Sequence, residues 1–303
     1  MIRRVCHMRN MKEEIAIRAK EIDQVIASMM PDIVGPQKKI YEVMEYTIQA
    51  GGKRLRPMLM LETYKMFGGT SKVIEPFMAA IEMIHTYSLI HDDLPCMDND
   101  DYRRGKKTAH VVYGEDMALL AGDALLNYAY ETAANALMYP DHITDAARAM
   151  KILAQKAGVF GMVGGQVVDV EMEGKPLTMD QITFIHEKKT SALIEASMMI
   201  GAALAGKGKG DIQMIKRIAR KVGVAFQIQD DILDVIGDEK KLGKPVGSDE
   251  KNDKTTYVSL VGIEQAKEDV RKLSEDAKKQ LEFYIGEDDF LMDLISYLID
   301  REY

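Results

Sequence analysis

Asp92, Asp93, Asp98, Asp100 and Asp101 put five aspartates into ten residues, and Tyr102-Arg103-Arg104-Gly105-Lys106-Lys107 follows at once. Carboxylates at that density repel one another unless something cationic lies between them. A second cluster stands far along the chain, Gln229-Asp230-Asp231-Ile232-Leu233-Asp234. Oxygen-only donors in such numbers suit a hard cation such as Mg2+, which takes one or two carboxylates and fills its shell with water and substrate phosphate. Cationic stretches match the two clusters: Lys53, Arg54 and Arg56 after Gly51-Gly52, Lys188-Lys189-Thr190, and the lysine-rich loop over 238–254 with Lys240, Lys241, Lys244, Lys251 and Lys254. Arginine grips phosphate bidentately and lysine as a point charge, so together these groups read as a clamp for diphosphate. Positive charge preorganised around diphosphate makes it a better leaving group, and an apolar cavity beside it would exclude the water that quenches a carbocation.

Such chemistry needs elements to hold it. Met78 to Ile90 reads as an apolar helix, with Ile81, Ile84, Tyr87 and Ser88 at helical spacing, so the first cluster caps a core element. Asp92 and Asp98 are six apart, a poor match to one helix face, and Pro95 is expected to break the helix and bring the later carboxylate back. Asp230 and Asp234 are four apart and share a face. Further helices are expected over 12–29, stopped by Pro31, over 37–49, capped by Gly51-Gly52, and over 117–138 and 142–159. Thr178 and Gln181 form a capping box for a helix through Ala205, and Asp211 is expected to cap one through Ile236. Two amphipathic helices follow Glu264. Gly161-Met162-Val163-Gly164-Gly165-Gln166 has no strand before it and lacks nucleotide-loop spacing, so close packing against a helix or ligand is the expectation. Strand-like alternation is absent. The fold class is all-α, one large bundle of ten or so helices around a central cavity, spanning 1–303 as a single domain.

The 303 residues, 47% of them hydrophobic, can bury a large core. A formal charge of -8 argues against a nucleic-acid partner. Cys6 and Cys96 are too few for a disulfide framework, which fits a reducing, cytoplasmic setting. The longest weakly charged stretch, Ser191 to Gly206, falls short of the ~20 apolar residues of a membrane span. Residues 1–10 read as an extension without function.

DDLPCMD at 92–98 and DDILD at 230–234, taken together with GGKRLRP at 51–57, resemble the trans-isoprenyl diphosphate synthases, closest to the bacterial farnesyl diphosphate synthase group. The similarity runs from about Ile48 to Val261. It implies three Mg2+ ions per site once substrate is bound, held by Asp92, Asp98 and Asp230 with Asp93, Asp231 and Asp234 in support. It implies that Lys53, Arg56, His85 and Arg104 hold isopentenyl diphosphate. Arg103, Lys189, Thr190, Gln227, Lys244 and Lys254 would hold the allylic partner, dimethylallyl or geranyl diphosphate. The catalytic set implied is Asp92, Asp93, Asp98, Arg103, Lys189, Asp230 and Lys244, and the reaction is a head-to-tail condensation by ionisation, attack and proton loss. Tyr87, with Ser88, lies five residues or about 7.5 Å down the helix from Asp92 and is expected to stop the growing tail at farnesyl length. A homodimer is also implied. The alternatives are a geranylgeranyl diphosphate synthase, a terpene cyclase, which usually carries Asn/Asp-x-x-Ser/Thr-x-x-x-Glu where DDILD stands, and a noncatalytic subunit. Glu82 and His85 match the ExxH spacing of di-iron bundles, but no second pair exists in the sequence.

Overall fold

The computed structural model describes residues 10–32, 34–236, 255–285 and 290–299. Its elements run α1 (Met11–Met29), α2 (Lys38–Ile48), α3 (Leu55–Met66), α4 (Glu75–Asp92), β1 (Tyr102–Arg103), β2 (Lys106–Lys107), α5 (Ala109–Tyr113), α6 (Glu115–Ala134), α7 (Ile143–Ala157), α8 (Met162–Glu171), α9 (Met179–Ile185), a π turn (His186–Thr190), α10 (Ser191–Leu204), α11 (Lys209–Ile236), α12 (Tyr257–Val261), α13 (Ile263–Leu281) and α14 (Phe290–Ile299). The all-α expectation holds.

All fourteen residues of α10 are buried, as its sequence SALIEASMMIGAAL requires: it is apolar on every side except at Glu195, whose buried carboxylate pairs with Lys156 and Arg220. It is the axis of the bundle, packed by α3, α7 and α11, while α4 packs chiefly on α6. The crossing of α10 on α3 is close enough that a Cβ at Gly201 would lie 2.4 Å from the Met60 carbonyl oxygen. Buried apolar side chains from Ile15 to Ile299 make one contiguous cluster.

Three expectations are corrected. The C-cap of α2 is Gln49, at φ -80°, so Gly51-Gly52 lies beyond the helix end and does not cap it. Asp211 sits in the first turn of α11, which begins two residues earlier, so its charge complements the helix dipole but does not cap it. Strands do occur: β1 and β2 pair antiparallel across Arg104 and Gly105, both at positive φ, a hairpin too short for alternation to reveal in sequence. Among the described residues Lys72–Asp92, not Ser191 to Gly206, is the stretch long and apolar enough to cross a membrane, and 78% of its apolar window is buried inside the bundle.

Candidate active site

The first wall is the end of α4. Pro95 cannot continue the helix, and the chain turns back so that the Asp98 amide donates to the Asp92 carbonyl at 2.8 Å, while Met97 and Asn99 donate to Leu94. Asn99 takes φ 54° to complete the loop. The six-residue spacing is thus folded into proximity, as expected. Asp92 accepts from Gln166 of α8 at 2.9 Å. Burial, offset by Lys189 and reinforced by Asp98, pushes the Asp92 carboxyl up to about 6. Asp93 faces elsewhere: it is buried and accepts from Arg103 Nε at 2.7 Å, so it orients Arg103 and the hairpin.

The second wall is α11. Asp230, Asp231 and Asp234 line a chamber of about 260 Å³ together with Asp169, His186, Lys189 and Thr190. Asp231 is pinned by the Tyr257 amide at 2.9 Å and stands 3.5 Å from His186 Nε2. Beside this chamber lies a second cavity of about 640 Å³, whose lining includes Tyr87, Ser88, Met97, Met162, Val167 and Leu193, with Arg56, His85 and Asp92 toward the polar end. Lys189 and Thr190 line both.

Those two residues belong to the π turn that interrupts the continuous helical run from α9 to α10. The Thr178–Gln181 capping box starts that run as the sequence indicates. A π turn widens the helix by one residue and is frequent at functional sites. Here Lys189 Nζ reaches Asp169 at 2.6 Å and Thr190 Oγ1 donates to Gln227 at 2.7 Å.

The GGKRLRP cations divide. Arg54, at φ 48° and 3% exposed, donates to Asp23, Glu82 and the Ile48 carbonyl, tying α1, α2 and α4 to the start of α3. Arg56 borders the 640 Å³ cavity with its Nε buried and without a hydrogen-bond partner. Burial, then the neighbouring Arg56 and Arg104, hold the His85 imidazole well below the usual histidine range, so it is neutral near pH 7. Arg104 donates to the Gly51 carbonyl, and a Cβ on Gly52 would come 2.9 Å from its Nη1, so glycine is what lets the loop meet the hairpin. Lys53 lies 5.8 Å from the Tyr297 ring and lines neither cavity. Glu82 is committed to Arg54, which removes the ExxH reading. Lys244 and Lys254, with the rest of 237–254, lie outside the described residues.

Among the described residues, no three histidine, cysteine or acidic side chains converge into a metal cage. The donors nevertheless suit Mg2+: they are hard oxygens on two walls, and the elevated Asp92 marks negative charge that a cation would relieve. A cation there would draw its remaining ligands from substrate. Sequence reasoning missed Gln166 and Asp169 as site residues; their spacing of three on α8 places both on one face.

The model of the polyprenyl synthetase family matches residues 37–284. The chain belongs to that family. It is a trans-prenyltransferase. It is 45% identical over 266 residues to geranylgeranyl diphosphate synthase from Cyanophora paradoxa, covering 86% of this chain and 87% of that one. To farnesyl diphosphate synthase from Escherichia coli (strain K12) it is 41% identical over 293 residues, 95% and 98% of the two chains. A crystal structure of a geranyltransferase from Helicobacter pylori, complexed with magnesium and isoprenyl diphosphate, superposes at a TM-score of 0.80 with 31% identity, over 96% of this chain and 97% of that one. Relatives of comparable identity thus carry farnesyl and geranylgeranyl names alike.

Proposed function

We propose that this trans-prenyltransferase, one helical domain throughout, joins isopentenyl diphosphate head-to-tail to dimethylallyl and then geranyl diphosphate, with (2E,6E)-farnesyl diphosphate as its principal product. The observation that carries this reading is the position of Lys189 and Thr190. They belong at once to the acidic chamber and to the apolar cavity, so a diphosphate in the first sends its hydrocarbon into the second.

Three Mg2+ ions, held by Asp92, Asp98 and Asp230 with Asp231 and Asp234 in support and Asp93 acting through Arg103, would neutralise charge on the leaving diphosphate. Lys189, exchanging Asp169 for the allylic diphosphate, adds a point charge, and Arg103, Lys244 and Lys254 complete that clamp. Arg56 and Arg104 hold isopentenyl diphosphate, Lys53 would have to swing from Tyr297 to join them, and neutral His85 is able to donate one N–H without adding repulsion among the guanidiniums. The allylic C–O bond breaks with its electron pair leaving on diphosphate. The isopentenyl double bond then attacks the allylic carbon, and a proton passes to diphosphate as the new double bond forms. Thr190 and Gln227 turn oxygen dipoles toward the cation, while the apolar lining keeps water out.

A fifteen-carbon limit is supported by Tyr87. It is 7% exposed, and its ring stands edge-on to His91 at 5.7 Å. His91 in turn lies against Gly122 of α6, where a Cβ would be 2.1 Å from its Nε2. The stop is therefore braced by two helices. A twenty-carbon product is the second reading, favoured by the relatives named for it. We also propose a cytoplasmic homodimer, since Leu119, Leu120, Met138, Val159 and Phe160 stand exposed along α6 to α8 and a second copy would cover them. Gel filtration with light scattering checks the dimer.

The deciding experiment incubates the purified chain with Mg2+, labelled isopentenyl diphosphate and either allylic primer, and measures the chain length of the dephosphorylated products. A fifteen-carbon product supports the reading; a twenty-carbon one keeps the reaction and moves the floor beyond Tyr87. No elongation from any primer by folded protein rejects it.

A further inference from the structure

The glycine cluster over 161–165 has no part in the chemistry above, yet its last member touches the site. A Cβ on Gly165 would lie 2.3 Å from the Lys189 amide nitrogen and 2.7 Å from the Lys188 carbonyl carbon. On α11, a Cβ on Gly223 would lie 2.3 Å from Ser191 Oγ and 2.7 Å from Ser191 Cα, the residue that closes the π turn. Both glycines are inside helices, where glycine costs up to about 1 kcal/mol relative to alanine, so their presence needs a local reason. Each also precedes by four residues a polar partner of the turn: Gly165 comes before Asp169, which pairs with Lys189, and Gly223 before Gln227, which accepts from Thr190. Residues four apart share a helix face. Each helix therefore meets the π turn with a bare stretch of backbone and, one turn on, the side chain that orients the residue it meets.

We propose that Gly165 and Gly223 are positioning residues that seat the π turn and so set where Lys189 and Thr190 stand relative to the allylic diphosphate. This rests on the assignment of those two residues to the allylic side. Relieving a 2.3 Å contact to an ordinary 3.4 Å separation moves the turn by about 1 Å, and a misplacement of that size costs about a hundredfold in rate.

The test uses the full chain with Mg2+, varying each substrate in turn. Gly165→Ala and Gly223→Ala should lower kcat/KM for the allylic diphosphate about a hundredfold while KM for isopentenyl diphosphate stays within about twofold. The thermal shift that Mg2+ with inorganic diphosphate gives the wild type should shrink as well. Gly164→Ala is the control: its Cβ would lie 2.2 Å from the Val159 carbonyl oxygen and meets no part of the π turn, so it should lower stability and leave allylic kcat/KM within about threefold. If Gly165→Ala does not fold, Gly223→Ala carries the test at 15 °C, where the helix propensity that alanine adds to α11 offsets part of its 2.5–2.7 Å contacts with Ser191 Cβ and Cα. Folded variants with unchanged allylic kinetics, or an equal allylic loss in Gly164→Ala, overturn the proposal. A wild-type chain that elongates no primer overturns instead the assignment on which it rests.

Discussion

Arg54 and Arg56 stand two residues apart in one basic stretch, and the structure predicts opposite consequences for removing them. Arg54→Met takes away the one guanidinium that, among the described residues, is hydrogen-bonded to Glu82, a carboxylate 2% exposed, and leaves that charge buried. Breaking a buried pair from one side costs about 3–5 kcal/mol. Arg56, whose charge also acts on Glu82, softens the loss, so the lower end, about 3 kcal/mol, is expected. At roughly 2 °C per kcal/mol for a chain of this size, the melting temperature should fall by about 6 °C. Kinetic constants of the molecules that remain folded should change little, since Arg54 points away from both cavities into α1, α2 and α4. Arg56→Met should do the reverse. Burial already lowers the Arg56 guanidinium, so an apolar side chain there should hold or raise the melting temperature. Loss of a charged hydrogen bond worth about 1.5–3 kcal/mol should raise KM for isopentenyl diphosphate by about 10- to 150-fold. Circular-dichroism melts and steady-state kinetics at 25 °C on both variants decide it. An Arg54→Met protein with wild-type stability and a collapsed kcat would refute the partition outright.

Tyr87→Ala should shift the product distribution toward chains longer than fifteen carbons in the dephosphorylated-product assay, and an unchanged spectrum removes Tyr87 as the stop. His85 gives a pH signature: its folded-state pKa lies well below its unfolded value, so the unfolded chain binds the extra proton as pH falls through about 6.5 and stability is lost there. His85→Gln should flatten melting temperature against pH between about 6.5 and 5 relative to wild type; parallel curves would mean that His85 titrates normally. Because no three donors converge among the described residues, Mg2+ alone should raise the melting temperature less than Mg2+ with inorganic diphosphate, and equal shifts would point to a preformed metal site.

The helices were legible because their signals are local. Apolar spacing marks α4, Pro31 bounds the run that holds α1, the Thr178–Gln181 box opens α9, and α10 is apolar but for Glu195 because it has no outer face. The return of Asp98 to Asp92 was legible too, since a proline inside a helical run leaves the chain few alternatives. What stayed hidden depends on contacts between elements far apart in sequence. Nothing within Lys53-Arg54-Leu55-Arg56 says that one arginine will find Glu82 and Asp23 while the other borders a cavity; that is decided by the left-handed backbone at Arg54 and by where α1 and α4 pack. The π turn is similar. His186-Glu187-Lys188-Lys189-Thr190 reads as ordinary helix, and its extra width arises where the helical run passes Gly165 and Gly223, residues 21 or more positions away that present backbone where other residues would present side chains. The glycine cluster does pack closely, as its composition indicates, and the element that Gly165 packs on, the π turn, is what the sequence leaves unnamed. Charge and periodicity can be read along one segment, whereas the register in which a lysine meets a substrate is set jointly by three segments. Substitutions in those neighbours are therefore the ones most able to alter activity without touching a residue that contacts substrate.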